Sequence, residues 1–435
     1  MQANSSASKR LFIGTSLVLL FLIPALGACG AVSSGTHAVG TPGAPVGTLS
    51  TQSVSPRVSS GVQPCPGDTG DPAHWMHITG TNIDNEHVES VSCANIMGTP
   101  SLQALVTDRR SDAGKTLDVY VFNNINAVSL AQIFHTFGLV KGQAKISGYN
   151  TILTAQADEL SALNTGKPVS AMTADLYREF KWSVSAITLV QTVFPGIFPD
   201  LTRYQAEADQ ASVNQGHQPW KLSASMVAGA LAASLLKWSP NSTTTLLSGG
   251  GAHDVSAVVR VRSTETVSGV INVTLSRLEG NTNAGIWEVV SVTADGMSLT
   301  SPASHAVLSS PSSVKGTGSA FEGLIGQVMV LDHLYNTIGK TSAIGVVGNG
   351  PTSFSTNLYY QTTFPAGIQE GILVLYAHSN ANGSIAAAIM EKILVSGALE
   401  RTFVVESVDL TVTPNSIDRN ITSDEDYWST IEILK

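Results

Sequence analysis

Charge is scarce in this chain of 435 residues: Asp, Glu, Lys and Arg make up 13% of it, with 23 basic residues against 32 acidic ones. That balance excludes a protein that tracks phosphates along nucleic acid, and one held on anionic lipid head groups by charge. Cysteine is equally sparse, at three residues, which rules out a disulfide-dense miniature scaffold. The motifs of common catalytic machinery are missing as well. There is no Gly-x-Ser-x-Gly nucleophile elbow, no Gly-x4-Gly-Lys-Ser/Thr phosphate loop, no His-Glu-x2-His and no Gly-x-Gly-x2-Gly after a strand. Ser248-Gly249-Gly250-Gly251 precedes a strand rather than a helix and reads as a loop. A hydrolase built on two carboxylates stays open, because sequence does not show which carboxylates face each other. No cofactor is expected.

What is present begins at the N-terminus. Lys9 and Arg10 precede an apolar run, Leu11 to Leu26, broken only by Gly14, Thr15, Ser16 and Pro24. At ~16 residues it is short for a bilayer span, which needs ~20, and right for a signal-peptide core. The closing residues Leu26-Gly27-Ala28-Cys29 resemble the bacterial lipobox. That resemblance implies a signal peptide over 1–28, diacylation of Cys29, and a protein lipid-anchored to the cell membrane on its extracytoplasmic face. Removing 1–28 takes away two positive charges and leaves a still more acidic chain, long enough for two or three domains. Residues 29–62 then read as a flexible tether: 30–62 are almost entirely Gly, Ala, Ser, Thr, Val and Pro, with Arg57 the only fixed charge.

Outside the cytoplasm, Cys65 and Cys93 are expected to form a disulfide. His74, His77 and His87 lie between them, which keeps a zinc site in view, but the spacing matches no compact zinc pattern. No metal is assigned, and two free thiols remain the third alternative.

The chain predicts an α+β class. Residues 63–198 read as a mixed α/β domain: Leu117–Phe122 as a strand, Val128, Ala131, Ile133, Phe134 and Phe137 as a helix ending at Gly138, Lys145–Asn150 and Thr151–Ala155 as extended, and Arg178–Trp182 as a strand. Phe194–Asp200 is a stiff turn whose Asp200 is placed to cap the next helix. Residues 199–300 read as two helices followed by a curved antiparallel sheet. Leu201, Tyr204, Ala208 and Ala211 share a face of the first helix, and Met226, Ala230, Leu231, Leu235 and Leu236 belong to the second. Three strands follow, with Val255, Ala257, Val259 and Val261 facing one way, then Ile271, Val273 and Leu275, then Trp287 and Val289. The element order resembles the nuclear-transport-factor-like or cystatin-like cone. Such a cone predicts a small-ligand pocket, with Tyr204, Trp220, Trp238 and Trp287 as its candidate lining; aromatics at this spacing are also what a core needs.

Residues 301–395 carry a more specific pattern: Ser301-Pro302, Val307 to Pro311, Val314-Lys315-Gly316-Thr317-Gly318 and Ala320-Phe321-Glu322-Gly323. This series resembles the opening of the bacterial spore-germination immunoglobulin-like domain. Leu324–Asp332 supplies the next strand, Ile338-Gly339 stands where that family turns, and Phe354–Tyr360, Gly371–Tyr376 and Ala386–Val395 supply three more. About seven short strands with turn signals at Asn349-Gly350-Pro351 and Asn382-Gly383 suit a sandwich. Residues 396–435 are expected to add strands, through Thr402–Val412, Ile431 and Ile433, around an acidic loop at Asp418–Asp426. The resemblance implies a surface adhesion or interaction module rather than an enzyme, working in the setting of sporulation or germination. Its partners would be the membrane, through the anchor, and an envelope protein or glycan, with no nucleic acid.

Overall fold

The computed structural model describes residues 61–397, apart from 82–84, 128, 265–268, 281–284, 349 and 365. The segments expected to be a signal peptide, a lipid anchor at Cys29 and, for nearly all its length, a tether lie outside the described residues, as do the strands expected after residue 401. Within them, twenty strands stand against three α-helices, one of which, α1 (Pro72–Trp75), has four residues. The expected α+β class, with its mixed N-terminal region and helix-plus-sheet domain, is therefore corrected: the protein is β-rich and built mainly from antiparallel sheets.

The first sheet runs in simple order through β1 (Glu86–Ala94), β2 (Gln103–Arg110), β3 (Leu117–Asn123) and β4 (Ala131–Leu139). A second meander follows, with β5 (Gln143–Ile146), β6 (Ile152–Gln156), β7 (Leu176–Ser183) and β8 (Thr188–Thr192). Alternation directs successive side chains of β2 and β3 to opposite faces. Leu105, Val119 and Val121 pack with Ile146, Ile152 and Leu189 between the sheets, while Val106 and Phe122 join Trp75 and Cys93 on the far side.

The helix expected over 128–137 is strand β4. Its register against β3 shifts between Leu117 and Val119 and again between Val121 and Phe122. Each bulge places two residues opposite one, so the neighbours Ile133 and Phe134 both pack on the same core. A bulged strand thereby acquires an apolar spacing that imitates a helix.

Cys65 and Cys93 are bonded, with Cα atoms 5.2 Å apart, across 28 positions of sequence. The bond fixes the segment before α1 to β1, beside the buried Trp75, whose Nε1 donates to the Thr69 carbonyl at 2.8 Å. Replacing both cysteines with serine is expected to lower the stability of the 61–140 region by about 3–4 kcal/mol, from loop entropy. Hydrogen exchange of β1–β3 reads this; unchanged protection would mean the bond stabilises nothing.

Two longer helices, α2 (Arg203–Asn214) and α3 (Ala224–Leu235), precede β9 (Thr243–Gly249), β10 (Ser256–Arg262), β11 (Val270–Glu279) and β12 (Ile286–Thr293). Thr202, not Asp200, caps α2 by accepting the Gln205 N–H at 3.4 Å. The buried positions of α2 are Ala206 and Val213, while Ala208 and Ala211 are exposed. In α3 they are Ala224, Val227, Ala228, Leu231 and Ala232, with Met226 turned outward. Apolar residues surround most of α3, so periodicity alone does not select its inner face. Apart from Val255, which precedes β10 and is exposed, the strands behave as expected: Val259 pairs with Val273 and Val261 with Ile271, all buried against α3.

The remaining strands are β13 (Ser298–Ser301), β14 (Val307–Leu308), β15 (Ser312–Ser319), β16 (Leu324–Leu331), β17 (Thr337–Ile344), β18 (Pro351–Leu358), β19 (Ile368–His378) and β20 (Ile385–Ser396). A three-stranded sheet, β13-β15-β18, lies over β17-β16-β19-β20, an arrangement compatible with an immunoglobulin-like sandwich. Gly316 is required there, because a Cβ would overlap the Ser298 carbonyl and the Phe354 ring. Glu322 and Gly323 take φ values of 50° and 86°, the left-handed pair of a tight hairpin turn between Phe321 and Leu324. Ile338-Gly339, expected at a turn, lies inside β17. On its β20 side the β17-β16-β19-β20 face does not end at an edge. β20 pairs with β12 at Ser291–Glu391 and Val292–Met390, which joins the strands of 199–300 and 301–397 into one nine-stranded sheet.

Candidate functional site

Two features of the molecule need a functional account: a buried ionic centre, and an apolar tip that carries a single charge.

The ionic centre forms around Phe194–Leu201, a segment outside the strands whose backbone groups must still find partners once buried. Phe194 N–H donates to Glu370 at 3.1 Å, Asp200 N–H donates to Glu288 at 3.2 Å, and Ile197 N–H and Phe198 C=O both bond to Val289 at 2.7 Å. The Lys392 ammonium donates to the carbonyls of Gly196 (2.8 Å) and Leu201 and pairs with Glu370. Tyr335 Oη donates to the carbonyls of Ile197 and Pro199, 3.1 and 3.0 Å away. Burial pushes the Glu370 carboxyl up and the Lys392 ammonium down, each opposed by the other's charge. Burial also holds the Tyr335 hydroxyl well above its ordinary range.

Around this centre stand three further groups. Arg203 bridges Glu179 and Glu279 and stacks 4.1 Å over the Tyr149 ring; burial nevertheless pushes the Glu279 carboxyl up to about 7. Lys221 pairs with Asp200 and Asp209, and Asp200 with Glu288. His333 lies buried on the side of Asp332, Asp175, Asp158 and Arg178, and burial lowers its pKa. Together these groups hold irregular backbone in place and join β7, α2, β11, β12, β19 and β20. Sequence reading missed them, since nothing short-range links Lys392 to Gly196. The only signal was the rarity of charge inside otherwise apolar strands, as at Glu288, Glu370 and Lys392.

The tip is built differently. The Phe321–Leu324 turn and the end of β17 lie side by side, with Leu324 opposite Ile344 and Gly345 N–H donating to Gly323 at 2.9 Å. Phe321 is 55% exposed, Leu324 43%, Ile344 61%, Val346 77% and Val347 66%. Glu322 is the only charged residue in 321–331 and 341–348. A cluster of large apolar side chains in water, with so little charge around it, is the mark of a surface that meets something. The visible signal in sequence was Gly345-Val346-Val347-Gly348, two valines held between glycines.

The four aromatics proposed as a pocket lining do not share one wall. Trp238 is buried and donates from Nε1 to the Ile385 carbonyl at 2.6 Å, and Trp287 is buried under Arg277, 4.3 Å away. Trp220 packs against the same large core, while Tyr204 turns to the other sheet and stacks on Tyr177, 4.9 Å away. Of the cysteines and histidines considered for zinc, His74 instead faces Asp68 at 3.2 Å, and Cys65 and Cys93 are bonded to each other. No group of three or more His, Cys, Asp or Glu among the described residues is placed to hold a metal. A groove of about 490 Å³ lies beside Thr300, Lys315, Ser353 and Phe354.

Compared with known proteins, the chain matches no family model, and no curated protein matches it.

Proposed function

We propose that this protein is a non-enzymatic, lipid-anchored module of the bacterial envelope that works by contact, and that the apolar tip is the surface that makes it. The observation that carries the reading is the exposure of Phe321, Leu324, Ile344, Val346 and Val347 together at one end of the sandwich. Its partner is an envelope protein with a complementary apolar surface; desolvated aliphatic and aromatic side chains supply affinity there without charge. Support comes also from the leader pattern over 1–28 before Cys29, the segment behind it with Arg57 as its one fixed charge, and the likeness of 301–395 to spore-germination immunoglobulin-like domains.

The test is substitution of both Val346 and Val347 with aspartate. These side chains are exposed, so unfolding should shift by no more than about 0.5 kcal/mol. Binding of purified residues 30–435, which lack the lipidation site, to intact envelopes is expected to fall by about tenfold or more. Unchanged binding would remove the tip from the interaction. Equal binding of the unsubstituted chain to protein-free vesicles would make lipid, not protein, the partner.

A further inference from the structure

The two buried lysines of the ionic centre keep different company. Lys392 has its donors committed to two carbonyls and one carboxylate. Lys221, in the short turn Pro219–Leu222 before α3, instead faces carboxyl groups. Its Nζ lies 3.3 Å from Asp200 Oδ2, and it also pairs with Asp209 at the half-exposed edge of the cluster. Behind Asp200 stands Glu288, fully buried, with Oε2 accepting the Asp200 N–H and Oε1 without a hydrogen-bond partner. An amine, an acyl carbon and a second carboxyl are thus brought together away from water.

We propose that Lys221 and Asp200 become joined by an intramolecular amide bond, with Glu288 moving the protons of the reaction. Amide formation needs a neutral amine and a protonated carboxylic acid, since a carboxylate is a poor electrophile. Burial raises both the Asp200 and the Glu288 carboxyls, and their proximity raises Glu288 further. Asp209 takes a proton from the Lys221 ammonium. The freed Nζ lone pair attacks Asp200 Cγ, forming the C–N bond. Glu288 gives its proton to the departing hydroxyl as the C–O bond breaks, and takes back one from nitrogen, so that one water leaves and Glu288 is restored. Asp209 returns its proton to solvent. The product closes a loop from Asp200 to Lys221 around α2 and locks the start of that helix to the turn before α3, a staple that reducing agents do not open. It does not depend on the contact function proposed above.

A tryptic digest of the full-length protein, read by mass spectrometry, tests this. The expected product is a branched peptide joining Trp182–Arg203 to Tyr204–Lys237, lighter by one water than the two together and uncut after Lys221. Lys221→Arg keeps the positive charge and should give only linear peptides. Glu288→Gln keeps both reacting groups and should lower the joined fraction by about tenfold or more, the scale of a positioned proton carrier. Linear Trp182–Arg203 at full mass from the unsubstituted protein overturns the proposal. So does a loss of water confined to Tyr204–Lys237, which would put the bond at Asp209. A fully joined Glu288→Gln protein removes Glu288 from the reaction.

Discussion

Replacing Lys392 with alanine lowers the unfolding free energy by about 3–5 kcal/mol, the cost of leaving one member of a buried pair uncompensated. Glu370 would stay buried beside Phe194 with no cation, and the Gly196 and Leu201 carbonyls would lose their donor. Urea unfolding followed by tryptophan fluorescence measures the loss, which appears as a lower midpoint at unchanged slope. The double substitution Lys392→Met with Glu370→Gln removes both charges and is expected to recover at least half of it, because the largest penalty belongs to the unpaired carboxylate. A single-variant loss below about 1 kcal/mol would mean that the ionic centre does not hold Phe194–Leu201 in place.

The second large effect is on pH. Glu279 has its carboxyl raised to about 7 by burial, against an unfolded value of about 4.3. A group raised in the folded state stabilises that state fully below its unfolded pKa, and the contribution is lost as pH climbs to the folded value. Between about pH 4.5 and pH 7 this one residue should therefore withdraw roughly 2–3 kcal/mol. Burial also raises Asp108, Asp175, Asp200, Glu288, Glu370 and Glu391, with the same sign. Burial lowers His135, His305 and His333, which opposes this below about pH 6.5, where the unfolded chain's histidines take protons that the folded ones refuse. Thermal unfolding should give a higher midpoint near pH 6 than near pH 8, and Glu279→Gln should flatten the slope between them. A midpoint that rises across that interval would contradict the account.

Much of the strand content was legible because local alternation and burial agree. In β10 and β11 every second residue is buried, as the pattern Ala257, Val259, Val261 and Ile271, Val273, Leu275 requires. The Cys65–Cys93 bond was legible from a count of three and an expected compartment. What escaped had its cause elsewhere in the molecule. The bulges of β4 depend on the register of β3, and the cap at Thr202 on where Asp200 is drawn by Lys221 and Glu288. The seam between β12 and β20 rests on pairs about a hundred residues apart, which no window over the sequence contains. The aromatics failed to line a single wall for a similar reason: spacing places Trp220, Trp238 and Trp287 near one core without saying whether that core is hollow.

The ties on Phe194–Leu201 also order events at birth. Val289, Tyr335, Glu370 and Lys392 all emerge from the ribosome after the segment they hold, the last of them 196 residues later. The first two sheets draw only on residues before 193, so they can assemble while synthesis continues. The centre of the molecule must wait. Until β20 arrives, the nascent protein is a finished head on an open middle, and a chain stopped about forty residues short of Lys392 would hold its Phe194–Leu201 turn without the Glu370 and Lys392 ties.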